Sequence, residues 1–114
     1  MRLGKVSQFI WRCYVTLDGG VLEVAILDVK AGKTEAFEAA FAQAAPIISS
    51  MKGYLSHELK RCLEQENRYL LLVRWERLED HTVGFRQSEE YEEWKALLHH
   101  FYDPFPTVEH YVDV

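Results

Sequence analysis

Nearly every residue from Val21 to Val29 is apolar, β-branched side chains recur in the run and Gly32 stands just beyond it, which marks a buried strand. A second run of this kind spans Tyr69 to Glu76, where Leu70 and Leu72 point one way and Tyr69, Leu71, Val73 and Trp75 the other. Strands that are apolar on both faces need a layer on each side of their sheet. No other feature of the chain restricts its fold as much.

The remaining pattern supplies one of those layers. Thr34 opens a helix on which Phe37, Ala40, Phe41, Ala44 and Ile48 share a face, until Pro46 weakens it and Gly53 ends it. Tyr54 to Leu63 alternates as a strand, with Leu55, His57, Leu59 and Arg61 on one side and Ser56, Glu58, Lys60 and Cys62 on the other. Glu64 to Asn67 turns it back into the second apolar run. A short helical piece near Asp80 to Arg86 precedes a longer helix, capped by Ser88 and running to about His100, with Tyr91, Trp94, Leu97, Leu98 and Phe101 inward. Asp103-Pro104-Phe105-Pro106 stops it, and Thr107 to Asp113 forms a closing strand with Val108, His110 and Val112 on one face. The order β-α-β-β-α-β is the ferredoxin-like arrangement: an α+β fold with a four-stranded antiparallel sheet and both helices on one face. The bare face calls for a partner, and a second copy packed sheet against sheet answers by two-fold symmetry, so a homodimer is expected.

Length agrees, since 114 residues fit one domain that buries only about two-thirds of the surface of its unfolded chain. Residues 1–20 read as an N-terminal extension and 21–114 as the domain. In the extension Val6, Phe9, Ile10 and Cys13 have the spacing of a short amphipathic helix, while Gln8 and Arg12 interrupt any secretory apolar core. A net charge of −5 without a basic run argues against nucleic acid as a partner. No apolar run approaches the ~20 residues of a membrane span. Cys13 and Cys62 have neither disulfide-framework nor zinc spacing, which fits a reducing cytoplasmic setting.

The segment VLEVAILDVKAGKTEAFEAAFAQA, the Gly53 to His57 stretch, the block RYLLLVRWERLEDHTVGFRQSEEYEEWKALL from Arg68 to Leu98 and the closing PFPTVEHY together resemble the antibiotic biosynthesis monooxygenase superfamily of dimeric α/β barrels. The resemblance covers about Val21 to Val114. It implies a small-molecule enzyme of the type that oxygenates polycyclic phenols and anthrones without flavin or metal, the deprotonated substrate itself reducing O2. Trp75 falls where those enzymes carry a Trp at the end of a strand, with an indole N–H able to donate to a substrate oxygen. His81 stands where they carry a Tyr, and a neutral imidazole is a competent base. Lys95 takes the place of an Arg that would steady an oxyanion, and Leu71 that of an Asn. The haem-degrading branch is a poorer match: its first-strand Asn aligns with Ala25, its pocket Trp with Phe85 and its iron-ligating His with Lys95.

Beside the resemblance, the residues have readings of their own. Trp75 continues the apolar line of Tyr69, Leu71 and Val73. His57 and His110 lie on strand faces among aliphatics, where a hydrogen-bonded core histidine is the ordinary outcome; with Phe85 and Trp94 they are the candidates to line a slot between helix and sheet. His99 and His100 point about 100° apart and suit a helix C-terminus rather than a shared metal. Arg86 and the acidic run Glu89, Glu90, Glu92 and Glu93 read as a solvated helix start. No local spacing supports a metal site built from His57, His81 or His110. The expectation is therefore a cytoplasmic, cofactor-free oxygenase of a small aromatic substrate. A non-enzymatic small-molecule-binding dimer and an isomerase or lyase on the same scaffold are the alternatives; open space in the slot and dependence on oxygen separate them.

Overall fold

The computed structural model describes residues 20–114; the extension expected over residues 1–20, with its amphipathic stretch and Cys13, lies outside them apart from Gly20. The elements follow the expected order: β1 (Val21–Asp28), α1 (Thr34–Ser49), β2 (Tyr54–Arg61), β3 (Arg68–Trp75), α2 (Glu89–Leu98) and β4 (Val108–Tyr111). A π-helical turn at Asp80–Phe85 leads into α2 and a 3-10 turn at His99–Phe101 leaves it. The strands form one antiparallel sheet in the order β2-β3-β1-β4, the ferredoxin-like topology. The two strands apolar on both faces are its central pair.

On the covered face Ala25, Leu27, Tyr69, Leu71, Val73 and Trp75 meet Phe37, Phe41, Ala44 and Ile48 of α1 and Trp94 and Leu98 of α2. Phe37 is the hub, with the rings of Tyr69 at 4.9 Å and Phe101 at 5.8 Å. Pro46 does not end α1, which continues to Ser49 because Ile48, only 1% exposed, anchors its last turn in the core. Proline removes one N–H near the helix end, a modest loss beside the burial of an isoleucine. The opposite face presents Leu22, Val24 and Ile26 of β1 beside Leu70 and Leu72 of β3, with Ile26 46% exposed. Charge pairs flank this apolar strip, Asp28 with Arg68 at 2.8 Å and Glu58 with Lys60 at 3.0 Å.

Three local departures from the expected pattern shape the site. A register shift between Tyr54 and Ser56 sets Tyr54 opposite Trp75, so Leu55 leaves the face of His57 that simple alternation assigns it and stands exposed. β2 stops at Arg61, leaving Cys62 beyond it. β4 is shorter than Thr107 to Asp113 and pairs only with Leu22 to Ala25, since Pro104 and Pro106 cannot donate to a ladder. The remaining edge of β1 is covered by the strap that leads into β4: Tyr102 bridges to Val29, and Asp103 N–H donates to Asp28 O at 2.9 Å. Gly53, with φ at +85°, allows a close approach, because a Cβ there would fall on the Asp80 side chain. That contact seats Asp80, whose carboxylate accepts from Arg77 N–H at 3.1 Å and starts the turn that carries His81.

Candidate active site

Glu23 is the one acidic residue in the run from Val21 to Leu27, and alternation puts it on the covered face with Ala25 and Leu27. A carboxylate there must find donors or lose its charge. Both happen. Glu23 is 6% exposed, and its Oε1 accepts the indole N–H of Trp75 at 2.9 Å. The same oxygen lies 3.4 Å from Nε2 of His81, itself 3% exposed. The His81 ring stacks on the Trp75 indole, centroids 5.5 Å apart and planes 22° off parallel. Its Nδ1 is hydrogen-bonded to Nε2 of His110 at 2.8 Å, and His110 is the cross-strand neighbour of Glu23 in the β1–β4 ladder. Three elements thus deliver a continuous line of Glu23, His81 and half-buried His110 toward the sheet edge.

Electrostatics reinforces the neutral forms. Burial drives the Glu23 carboxyl up from 4.5 to about 7, with the Trp75 hydrogen bond and the Arg86 charge pulling the other way. Burial likewise drives His81 down to about 3, helped by the charges of Arg86 and His110. His110 is lowered too, by burial and then by Arg86. Near neutrality the pair of Glu23 and His81 therefore exchanges a proton at the carboxyl, with His81 a neutral imidazole. This departs from the expectation of a histidine titrating near its ordinary value: enclosure beneath Trp75 and Phe85 hands the titration to the glutamate.

Glu23 and His81 open into a cavity of about 370 Å³ between the sheet and the second helical layer. Its wall is largely aromatic: Phe85 lies 5.1 Å from Tyr91 and 5.6 Å from Trp94, and His99 lies 4.9 Å from Phe105. Arg86 stands at the open end. A space of this size suits a ligand of a few rings, held by aromatic and aliphatic surface into which the polar groups of Glu23, His81, Arg86 and His99 are set.

The candidates named from sequence divide accordingly. His81, Phe85 and Trp94 line the cavity. Trp75, fully buried, stands behind the wall, and its N–H is already given to Glu23, so it is not free for a substrate oxygen. His110 also stands behind the wall, as the partner of His81. Lys95 is not in the wall: it pairs with Glu92 at 3.3 Å and lies over the Tyr91 ring at 5.6 Å. The cation at the cavity is instead Arg86, where the acidic neighbourhood in sequence suggests a solvated helix start. His57 is elsewhere, 2.5 Å from the Tyr54 hydroxyl and packed on Phe41. His99, read as a helix-end residue, lines the cavity. Among the described residues no three His, Cys, Asp or Glu side chains converge as metal ligands do.

The ferredoxin-like sheet thus carries a buried acid–imidazole pair under an aromatic-walled cavity. The chain matches the antibiotic biosynthesis monooxygenase family over residues 20–97 and belongs to that family. It is 65% identical over 94 residues to the uncharacterized protein YczJ of Bacillus subtilis (strain 168), covering 82% of this chain and 99% of YczJ. A crystal structure from Bordetella bronchiseptica, assigned to the antibiotic biosynthesis monooxygenases, superposes with a TM-score of 0.79 at 36% identity over 82% of this chain and 96% of that one. SnoaB of Streptomyces nogalater, a cofactor-independent oxygenase, shares the fold with a TM-score of 0.60 at 23% identity over 82% of this chain and 90% of its own.

Proposed function

We propose that the protein is a cofactor-independent monooxygenase of an aromatic phenol, quinol or related small molecule, working in the cytoplasm as a homodimer. The observation that carries this reading is the Glu23 carboxyl, buried yet opening with His81 into the aromatic-walled cavity. Its raised value of about 7 leaves it part ionised at neutral pH, the poise of a general base. Glu23 removes an acidic proton from the bound substrate, and the electron-rich anion forms a C–O bond with O2. The resulting hydroperoxide loses water as a second proton leaves the same carbon and its O–O bond breaks. One oxygen atom stays as the new carbonyl and the other leaves as water, so a CH2 group plus O2 becomes C=O plus H2O with no outside reductant. His81 and His110 pass the proton toward the sheet edge, and the Trp75 N–H steadies the carboxylate. Membership of the monooxygenase family supports this reading, and so does the shared fold with an oxygenase that needs no cofactor. The open cavity favours a ligand site over a slot filled by side chains.

The homodimer rests on the apolar strip of Leu22, Val24, Ile26, Leu70 and Leu72, which no element of the described residues covers. The free thiol of Cys62 accords with a reducing compartment.

Oxygen uptake by the purified protein tests the activity, with anthrone and with two- and three-ring phenols and quinols as substrates. His81→Ala is expected to reduce uptake by about 10² or more. Uptake unchanged in that variant contradicts the site, and product formed without O2 points to an isomerase or lyase instead. Light scattering at micromolar concentration is expected to give about twice 13.4 kDa, and a mass near 13.4 kDa contradicts the homodimer.

A further inference from the structure

Arg86 follows Phe85 at the end of the π-helical turn, and its own N–H donates to His81 O at 3.1 Å, so its backbone is tied to the residue that contacts Glu23. Its side chain lines the cavity, and its charge acts on Glu23, His81 and His110 together. Other basic side chains nearby are engaged: Arg77 with Asp80, Lys95 with Glu92, and farther off Arg68 with Asp28 and Arg61 with Glu38. Arg86 has no carboxylate within ion-pair distance among the described residues. The acid nearest to it in the cavity is Glu23, which burial keeps largely uncharged below neutrality. The cavity therefore presents aromatic walls that include Tyr91 and Tyr102, the imidazoles of His81 and His99, one acid and a single guanidinium.

We propose that the aromatic substrate of this site, phenolic or quinol-type in its reacting ring, also carries a carboxylate, its rings held among Phe85, Tyr91, Trp94 and Phe105 and its carboxylate on Arg86. This rests on the reading of the cavity as a small-molecule site and adds the chemical class it selects. A guanidinium forms two parallel N–H···O bonds to a carboxylate, a planar match that neither a phenol nor an amide offers. A single cation suits a monoanion; a phosphate dianion needs more positive charge than the wall supplies. Binding also has a consequence for the base. Arg86 favours the ionised form of Glu23, so neutralising Arg86 with a ligand carboxylate raises the proton affinity of Glu23 in the complex. The complex should take up a fraction of a proton as it forms near pH 7.

Titration calorimetry of the full chain with 2-naphthoate and with neutral 2-naphthamide tests this, in two buffers of different ionisation enthalpy. Naphthoate is expected to bind at least about tenfold more tightly, the worth of a charge-assisted pair, and with proton uptake. Arg86→Gln should bring the two ligands within about twofold, and Arg86→Lys should keep part of the difference. Since Arg86 is exposed at the cavity mouth, an unchanged melting temperature shows that these variants fold. Equal affinity of the two ligands for the unmodified chain, or a naphthoate preference that survives in Arg86→Gln, overturns the carboxylate assignment and leaves the cavity as an aromatic site. Binding of neither ligand overturns the reading of the cavity itself.

Discussion

Replacing Glu23 by Gln is expected to lower kcat/KM by about 10² to 10⁴, the usual worth of a positioned general base, and to remove the rise of the rate with pH through about 7. The amide keeps the shape and still accepts the Trp75 N–H, so binding should change little and the loss should appear in kcat. The sign of the pH dependence follows from burial. The ionised carboxylate is the base, so activity in the unmodified protein climbs as pH rises through about 7, whereas a histidine base near 3 would be deprotonated throughout and give no such limb. Stability runs the other way. With Glu23 raised from 4.5 to about 7 in the folded chain, its contribution is fully present below 4.5 and is lost as pH rises through 7. Glu23→Gln should therefore gain on the unmodified protein over that window, by about 3 kcal/mol at its alkaline end. His81, lowered from 6.5 to about 3, gives the acid limb: its contribution is complete above 6.5 and is lost as pH falls toward 3. Chemical denaturation of both proteins from pH 4 to 9 measures this, and a difference independent of pH contradicts the neutral, buried carboxyl.

The second large effect is at Trp75. It is fully buried, meets the rings of His81, Phe85 and Tyr54, and supplies the N–H that Glu23 accepts. Trp75→Ala removes a large core side chain and is expected to cost about 3–5 kcal/mol, seen as a fall in melting temperature. Trp75→Phe separates packing from the hydrogen bond. It refills much of the volume but leaves Glu23 without its donor, an omission worth about 1–3 kcal/mol. Because that hydrogen bond lowers the carboxyl, its loss should move the activity limb to higher pH. A Phe variant whose limb stays in place would make Trp75 a core residue only.

The fold was legible because its periodicities are clean. The two runs apolar on both faces became the central strands, and Phe37, Phe41, Ala44 and Ile48 at helical spacing became the buried stripe of α1. What alternation missed was local: the shift after Tyr54 and the strap before β4 depend on pairing partners far along the chain. The site was half visible. His81 and Trp75 stood at positions that a resemblance picks out, but Glu23 was hidden in an apolar run although its parity placed it on the inward face. An acid at an inward strand position was the available signal. The exchange of titration between Glu23 and His81 lay beyond sequence, because it depends on how Trp75 and Phe85 enclose both groups. The cation that lines the cavity differs from the one the resemblance picks out for a similar reason. Lys95 satisfies its charge on the adjacent turn with Glu92, while Arg86 is left facing the cavity.

The central claim, that Glu23 with His81 is the base of a cofactor-free oxygenation, is tested most directly by ¹⁸O2 labelling. The substrate that consumes oxygen fastest is turned over in chelator-treated buffer, with the unmodified protein and with Glu23→Gln side by side. One labelled oxygen in each product molecule, one O2 consumed per turnover and a loss of at least about 10² in the variant are expected. Unlabelled product, or labelled product formed equally fast without the Glu23 carboxyl, contradicts it.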